Sequence, residues 1–299
     1  VDGERIVSTA DTHPADRLRG SLNSGPPVLA AGCHDALSAR LAEAAGFEAV
    51  HLSGALVGAS ELGLPDLGFT GASDMLAALR RVVAGTGVPI VADADTGYGD
   101  PPQVAETVRR YEREGAAALH LEDQVQPKRC GHEPGVEVVG LPVALARLDA
   151  AVSVRRRLVV IARTDALRAA GPDEMLRRVA AFAAAGADAI MAEGVVDAEL
   201  LRRVRDAARG LPLVVNCSAA GPAADPADVL GRAGGRLLLY PVAAALAGAA
   251  AMRTAYRSIL RHGRAPDPAM TWTDFNDLLG LPGLAARFPD RPPAEERTP

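Results

Sequence analysis

The sequence predicts an α/β fold: a (β/α)8 barrel of the TIM type, followed by a C-terminal helical extension. Eight short apolar runs punctuate the chain between Val28 and Tyr240, helical patterns separate them, and a glycine recurs at the helix exits. Parallel strands buried on both faces read as such apolar runs. Eight of them alternating with helices point to a closed barrel. The chain has 299 residues, 48% of them hydrophobic, and barrels of this type commonly run to about 250 residues as one domain. A doubly wound open sheet is the alternative, but no Gly-rich dinucleotide fingerprint supports it.

Taken in order, residues 1–27 are polar and rich in Asp, Ser and Pro, and read as a flexible segment with one short helix around Ala15–Leu22. The barrel is expected over residues 28–263. Its strand candidates are Val28–Cys33, Ala49–Ser53, Pro89–Asp93, Ala117–Glu122, Leu158–Arg163, Ala189–Glu193, Leu213–Asn216 and Arg236–Tyr240. Gln103–Glu114, Asp173–Ala184 and Ala198–Ala208 carry helical periodicity, and Asp35 is placed to cap the helix after the first strand. Gly46, Gly115, Gly186 and Gly234 follow helices, where glycine adopts a left-handed conformation without penalty. Past Gly263, Pro266 and Pro268 break the pattern, and Thr273–Phe288 reads as one or two short amphipathic helices. Trp272, Phe275, Leu278, Leu279, Leu281 and Leu284 in this 264–299 extension are too apolar to leave in water, so a neighbouring subunit is a natural partner. The last residues read as a disordered tail.

Composition excludes several classes of function. A net charge of −5 argues against general binding to nucleic acid or anionic membranes. The longest apolar runs are too interrupted for a spanning helix of about 20 residues, and Val1–Gly25 shows no signal-peptide pattern. Cys33, Cys130 and Cys217 are an odd number in a Cys-poor chain, which fits reduced thiols in the cytoplasm. Cys33 and Cys217 read as small core or rim residues, and His34 and His120 as hydrogen-bonded structural histidines.

The placement of polar residues points to chemistry. In such barrels the site lies at the carboxyl ends of the strands. Those ends carry Ser53-Gly54, Asp93 with Asp95, Glu122-Asp123, Arg163 with Asp165, Glu193, and Asn216. Loop capping would account for Asp123 or Asp165 alone, but it accounts poorly for the whole set. Asp93, Asp95 and Glu122 would share one rim and repel one another unless a cation intervenes. All-oxygen ligands select a hard ion such as Mg²⁺, with Mn²⁺ able to substitute. A second group, Lys128-Arg129-Cys130-Gly131-His132, follows the fourth strand. A thiol beside two cations and an imidazole is expected to be acidic, able to donate a proton to a carbanion or to act as a nucleophile. Cys130 and His132 lack the further ligands of a closed zinc site.

These residues together resemble a known family. Ser53-Gly54, Leu62-Gly-Leu-Pro-Asp66-Leu-Gly68, Asp93-Ala-Asp95-Thr-Gly-Tyr-Gly99, Leu121-Glu122-Asp123-Gln124, Lys128-Arg-Cys-Gly-His132 and Ala162-Arg163-Thr-Asp165 occur in order. The set is similar to the isocitrate lyase/phosphoenolpyruvate mutase superfamily, nearest to its 2-methylisocitrate lyase, 2,3-dimethylmalate lyase and carboxyvinyl-carboxyphosphonate phosphonomutase branches. The resemblance implies a Mg²⁺ held directly by Asp93 and through water by Asp66, Asp95 and Glu122. It implies that backbone amides near Ser53, Gly54 and Ala55, and at Gly131 and His132, hold substrate carboxylates. It places Arg163, Glu193 and Asn216 in the pocket and Lys128–His132 on a gating loop, with Cys130 as the proton donor. It also implies a homotetramer, a dimer of dimers that exchange their last barrel helix.

The implied reaction is Mg²⁺-dependent cleavage of a 2-hydroxy di- or tricarboxylate into pyruvate or glyoxylate plus a carboxylic acid. The implied partner is thus a small 2-oxo or 2-hydroxy acid, with no nucleic acid and no membrane. A phosphonomutase, or a decarboxylase or hydrolase of oxaloacetate-like acids, is the alternative, and a non-catalytic metabolite-binding barrel the remaining one. The chain departs from the family pattern at Val136, at Gly194-Val-Val and at Asn216-Cys-Ser-Ala-Ala-Gly221, all where the distal part of a substrate would sit.

Overall fold

The computed structural model describes residues 12–131, 133–219 and 226–288. Eight parallel strands close into a barrel in sequence order, β1 pairing with β8. They are β1 (Val28–Cys33), β2 (Ala49–Leu52), β3 (Ile90–Asp93), β4 (Ala118–Glu122), β5 (Val159–Thr164), β6 (Ala189–Ala192), β7 (Leu213–Asn216) and β8 (Gly235–Tyr240). Each lies within a residue or two of the apolar run that predicts it. The expected glycine exits hold as well: Gly46, Gly115, Gly186 and Gly234 have φ of 93°, 97°, 89° and 118°, the region where a Cβ would be strained.

Alternate strand residues point inward, and this parity builds two cores. Val28 and Ala30 of β1, Ala49 of β2, Val91 of β3, Val159 and Ile161 of β5, and Leu237 and Leu239 of β8 fill the barrel interior. The opposite face packs on the surrounding helices through residues such as Val50, Leu119, Val160 and Ile190.

The short helix expected around Ala15–Leu22 is α1 (Pro14–Asn23), and it is docked on the barrel rather than loose. Its Ala15, Leu18 and Leu22 are buried and belong to the inner core. The Arg236 guanidinium, at the start of β8, donates to the carbonyls of Ser21, Leu22, Ser24 and Gly25. These bonds satisfy carbonyls that a helix end leaves without intrahelical partners. α1 therefore closes the floor of the barrel, opposite the strand ends that carry the polar residues. Residues 1–11 lie outside the described residues.

Asp35 caps α2 (Ala36–Ala44) as expected, in a reciprocal capping box with Ser38. Burial pulls its carboxyl up, but the Ser38 amide and hydroxyl and the nearby His34 outweigh this and hold it below the usual carboxylate range. A carboxylate with a lowered folded-state pKa stabilises above its unfolded pKa and loses that contribution as pH falls through the folded value. Asp35→Ala should therefore cost about 1 kcal/mol at neutral pH. Urea melts of both proteins should converge once the pH falls below the depressed pKa.

The other helices are α3 (Gly54–Val57), α4 (Ala72–Gly85), α5 (Pro101–Arg113), α6 (Leu141–Val154), α7 (Ala166–Ala170), α8 (Pro172–Ala184), α9 (Ala198–Ala207), α10 (Pro226–Ala233) and α11 (Ala243–His262), with α12 (Trp272–Leu278) and α13 (Leu281–Arg287) beyond. The chain divides into two compact units, residues 1–246 and 247–299. The division falls inside α11. None of the residues of α11, α12 or α13 is buried. Trp272 stacks on Phe275 at 5.6 Å yet remains 76% exposed. Residues 289–299, read as a disordered tail, lie outside the described residues. No helix among those described is long and apolar enough to cross a membrane.

Candidate active site

The carboxyl ends of the strands surround a cavity of about 150 Å³ lined by Ser53, Ala55, Asp66, Asp93, Lys128, Cys130, Gly131, Arg163, Glu193 and Asn216, among others. Most residues singled out from sequence thus meet in one place. His132 lies outside the described residues.

Asp93 ends β3 and is buried. Its carboxylate accepts from the amides of Gly54 at 3.3 Å and Asp95 at 3.0 Å, and the Tyr111 hydroxyl donates to its carbonyl at 3.0 Å. Burial would raise its pKa, but the Lys128 and Arg163 cations hold it well below the ordinary range. The following turn is strained. Asp95 and Tyr98 have φ of 45° and 61°, a region costly for residues other than glycine. The amide bond to Asp93 helps fix Asp95 in that conformation.

Lys128 is buried, and its Nζ lies 2.6 Å from Asp66 and 2.8 Å from Asp95. Burial alone would lower its pKa, but Asp95, Asp93, Glu122 and Asp66 push it well above the ordinary value. The loop carrying Lys128 is tied down by its backbone. The Gln124 side-chain amide donates to the Arg129 carbonyl and accepts from the Arg129 amide, both at 2.9 Å. Cys130 donates its amide to the Asp66 carbonyl at 3.2 Å. Gly131 then packs against the rim so tightly that a Cβ there would lie 2.6 Å from Asp165 Oδ1, 2.7 Å from Glu193 Cγ and 3.0 Å from Arg163 Nη2. This segment is folded down over the cavity.

Arg163, inward on β5, is held in a fork by Asp165 at 2.9 and 3.0 Å. It also lies 3.2 Å from Glu122 and 3.9 Å from Glu193, and Asn216 donates to Glu193 at 3.0 Å. Asp165 is fixed in turn by Asp123, which accepts from the Asp165 amide, the Thr164 hydroxyl and Arg178 of α8 at 3.0, 2.7 and 3.0 Å. Capping is therefore a sufficient account of Asp123, whereas Asp165 reaches the site by clamping Arg163. Arg178→Ala should leave Asp123 as an uncompensated buried charge. Breaking such a pair costs about 3–5 kcal/mol, readable as a lowered denaturation midpoint.

Charge balance tests the expected magnesium. Asp66, Asp93, Asp95, Glu122, Asp165 and Glu193 face Lys128 and Arg163 among the described residues, an excess of negative charge in a buried setting. Burial and Asp93 push Asp95 up to about 7 despite Lys128. Burial, with Asp165 and Asp95, raises Glu122 well above its usual value despite Arg163. Neither Glu122 oxygen accepts a hydrogen bond. A hard dication would relieve this excess, and carboxylate oxygens are the donors it takes. Asp93, Asp95 and Glu122 do not converge directly on one centre, because Asp95 is paired with Lys128 and Glu122 with Arg163. No three Asp, Glu, His or Cys groups are gathered as ready ligands among the described residues. The set fits an ion that touches one carboxylate and reaches the others through water.

One pair was not legible as part of the site. His51 on β2 and His120 on β4 meet inside the barrel at 2.9 Å between their Nε2 atoms, and both line the cavity. The available signal was parity, since each sits at an inward position of an otherwise apolar strand. Cys33 and Cys217 are buried core residues as expected, and burial raises the Cys33 thiol to about 12.

The closed barrel and the charged cavity at its strand ends define the protein as one of the (β/α)8 class, and comparison with known proteins gives its family. Residues 18–260 match the family described as phosphoenolpyruvate phosphomutase. The chain is 37% identical to the 2,3-dimethylmalate lyase of Eubacterium barkeri over 274 residues, covering 89% of this chain and 94% of that one. It is 38% identical to the 2-methylisocitrate lyase of Salmonella typhimurium over 256 residues, covering 84% and 86%. Oxaloacetate acetylhydrolase in complex with 3,3-difluorooxalacetate superposes with a TM-score of 0.85 at 34% identity, over 91% of this chain and 95% of that one. Phosphonopyruvate hydrolase in complex with oxalate and Mg²⁺ gives 0.81 at 29%, over 93% and 99%. The chain belongs to the phosphoenolpyruvate phosphomutase family, within the isocitrate lyase/phosphoenolpyruvate mutase superfamily, and is an enzyme of its carbon–carbon lyase kind.

Proposed function

We propose that this enzyme cleaves the C2–C3 bond of a 2-methylisocitrate-like or alkylmalate-like 2-hydroxy acid, releasing pyruvate or glyoxylate and a carboxylic acid. The observation that carries the reading is the packing of Gly131 against the strand ends, which leaves Cys130 and Gly131 lining the same cavity as Asp93 and Arg163. Relatives named as lyases of such acids support it.

Asp93 would hold Mg²⁺ directly, with Asp66, Asp95 and Glu122 holding it through water. The Mg²⁺–oxalate complex of a structural neighbour supports that role. Bound there, the ion would draw the carboxylate and 2-oxygen of a substrate together and make the 2-hydroxyl more acidic. The chain's own residues do the rest. Amides at Ser53, Gly54, Ala55 and Gly131 orient substrate carboxylates. The 2-hydroxyl gives up its proton to a neighbouring carboxylate of the site and becomes the carbonyl of the 2-oxo acid. As the C2–C3 bond breaks, its electron pair passes to the departing carbon, whose carboxylate Arg163 is placed to stabilise. Cys130 delivers its proton to that carbon. Lys128, Glu193 and Asn216 line the same cavity, His132 is assigned a part beside Gly131 in the reaction, and the folded segment excludes water that would quench the carbanion.

The exposed apolar residues of α11, among them Leu246, Met252, Tyr256, Ile259 and Leu260, support a homotetramer in which dimers exchange this helix. The unbridged cysteines support a cytoplasmic location.

Incubation with Mg²⁺ and a panel of 2-hydroxy di- and tricarboxylates, with 2-oxo acid release followed, tests the reaction. Turnover of one member is the expected result; silence there with turnover of a phosphonate or of oxaloacetate would overturn it. For the metal, Asp93→Ala should weaken Mn²⁺ binding in calorimetry far more than Asp95→Ala does. The reverse order would remove Asp93 as the direct ligand.

A further inference from the structure

The reaction proposed above makes no use of His51 and His120, although they occupy the interior next to Asp93. The rings stack with centroids 5.2 Å apart. They are 3% and 1% exposed, in a barrel layer otherwise filled by apolar side chains. Two neutral imidazoles facing each other through Nε2 need a proton on one of those nitrogens only. Both rings lie almost wholly inside the barrel, where a charged imidazolium is costly.

Both outer nitrogens decide which way the proton points. His120 Nδ1 faces Asp93 Oδ1 at 3.5 Å without reaching hydrogen-bond geometry, and His51 Nδ1 is buried with no carboxylate or other hydrogen-bond partner before it. If His120 donated through Nε2, its Nδ1 lone pair would face the Asp93 carboxylate, and His51 would bury an N–H with no acceptor. If His51 donates through Nε2, His120 turns its N–H towards the Asp93 carboxylate, an attractive contact at 3.5 Å, and the atom that faces no charge is the His51 lone pair, the cheaper group to leave bare.

We infer that His51 and His120 form a directional pair, His51 Nε2–H to His120 Nε2 and His120 Nδ1–H towards Asp93, which positions the Asp93 carboxylate for the metal. Both are positioning residues acting through Asp93. The inference rests on the reading that Asp93 is the direct metal ligand. Partners that orient a ligating group are typically worth about 10–100-fold in metal affinity.

Six histidines in the chain make ¹⁵N-histidine spectra of the unmodified protein tractable. They should show His51 protonated at Nε2 and His120 at Nδ1, each assigned by the loss of its signal in a single substitution. His51→Phe keeps a ring in place but removes the donor, and should raise the Mn²⁺ Kd about tenfold with the thermal midpoint little changed. His51→Gln, whose amide can donate to His120, should recover most of that loss, which a purely packing role would not allow. Reversed tautomers in the unmodified protein, or unchanged Mn²⁺ affinity in His51→Phe, would overturn the inference even if the second variant failed to fold. Absence of Mn²⁺ binding by the unmodified protein would instead bring down the metal reading on which it stands.

Discussion

Cys130→Ser is expected to abolish turnover while leaving Mg²⁺-dependent binding of a 2-oxo acid largely intact. A hydroxyl replaces the thiol at almost the same size, so the segment can still fold over the cavity. What changes is acidity: an alcohol holds its proton far more tightly than a thiol and cannot deliver it in step with bond cleavage. Loss of a general acid typically costs about 10²–10⁴ in rate. The loss should fall on kcat, with ligand affinity measured by calorimetry close to that of the parent. Near-normal kcat would take Cys130 out of the reaction.

Gly131→Ala is expected to approach the same loss by a different route. Its Cβ would meet Asp165 Oδ1 at 2.6 Å and Glu193 Cγ at 2.7 Å. Neither can move cheaply, because Asp165 is clamped to Arg163 and fixed through its amide by Asp123, while Glu193 accepts from Asn216. The segment must lift, taking the thiol with it, and a displacement of about 1 Å can cost about 10² in rate. Cys130 and Gly131 then act as one unit, so the double substitution should be little worse than Cys130→Ser alone. Additive losses in that cycle would show that the contact at Gly131 serves something other than placing the thiol.

The two variants also separate chemistry from closure. Cys130→Ser should keep protection of the 128–131 amides in hydrogen exchange when a 2-oxo acid is bound. Gly131→Ala should lose it. The same protection in both would mean that the segment closes regardless of how Gly131 packs.

Local sequence determined the eight strands, the helices between them and their glycine exits, because apolar periodicity and backbone freedom are properties of a few neighbouring residues. It also determined that carboxylates, an arginine and an asparagine stand at the strand ends, since every parallel strand in a closed barrel points the same way. Tertiary structure alone decided what these groups touch. Lys128 sits between Asp66 and Asp95, Gly131 seals against Asp165 and Glu193, and His51 meets His120 across a gap of 69 residues. It likewise docked the helix expected near Ala15–Leu22 as the floor of the barrel through Arg236. Such pairings depend on strand register and barrel closure, which join residues distant along the chain and leave no trace in the local pattern of either partner.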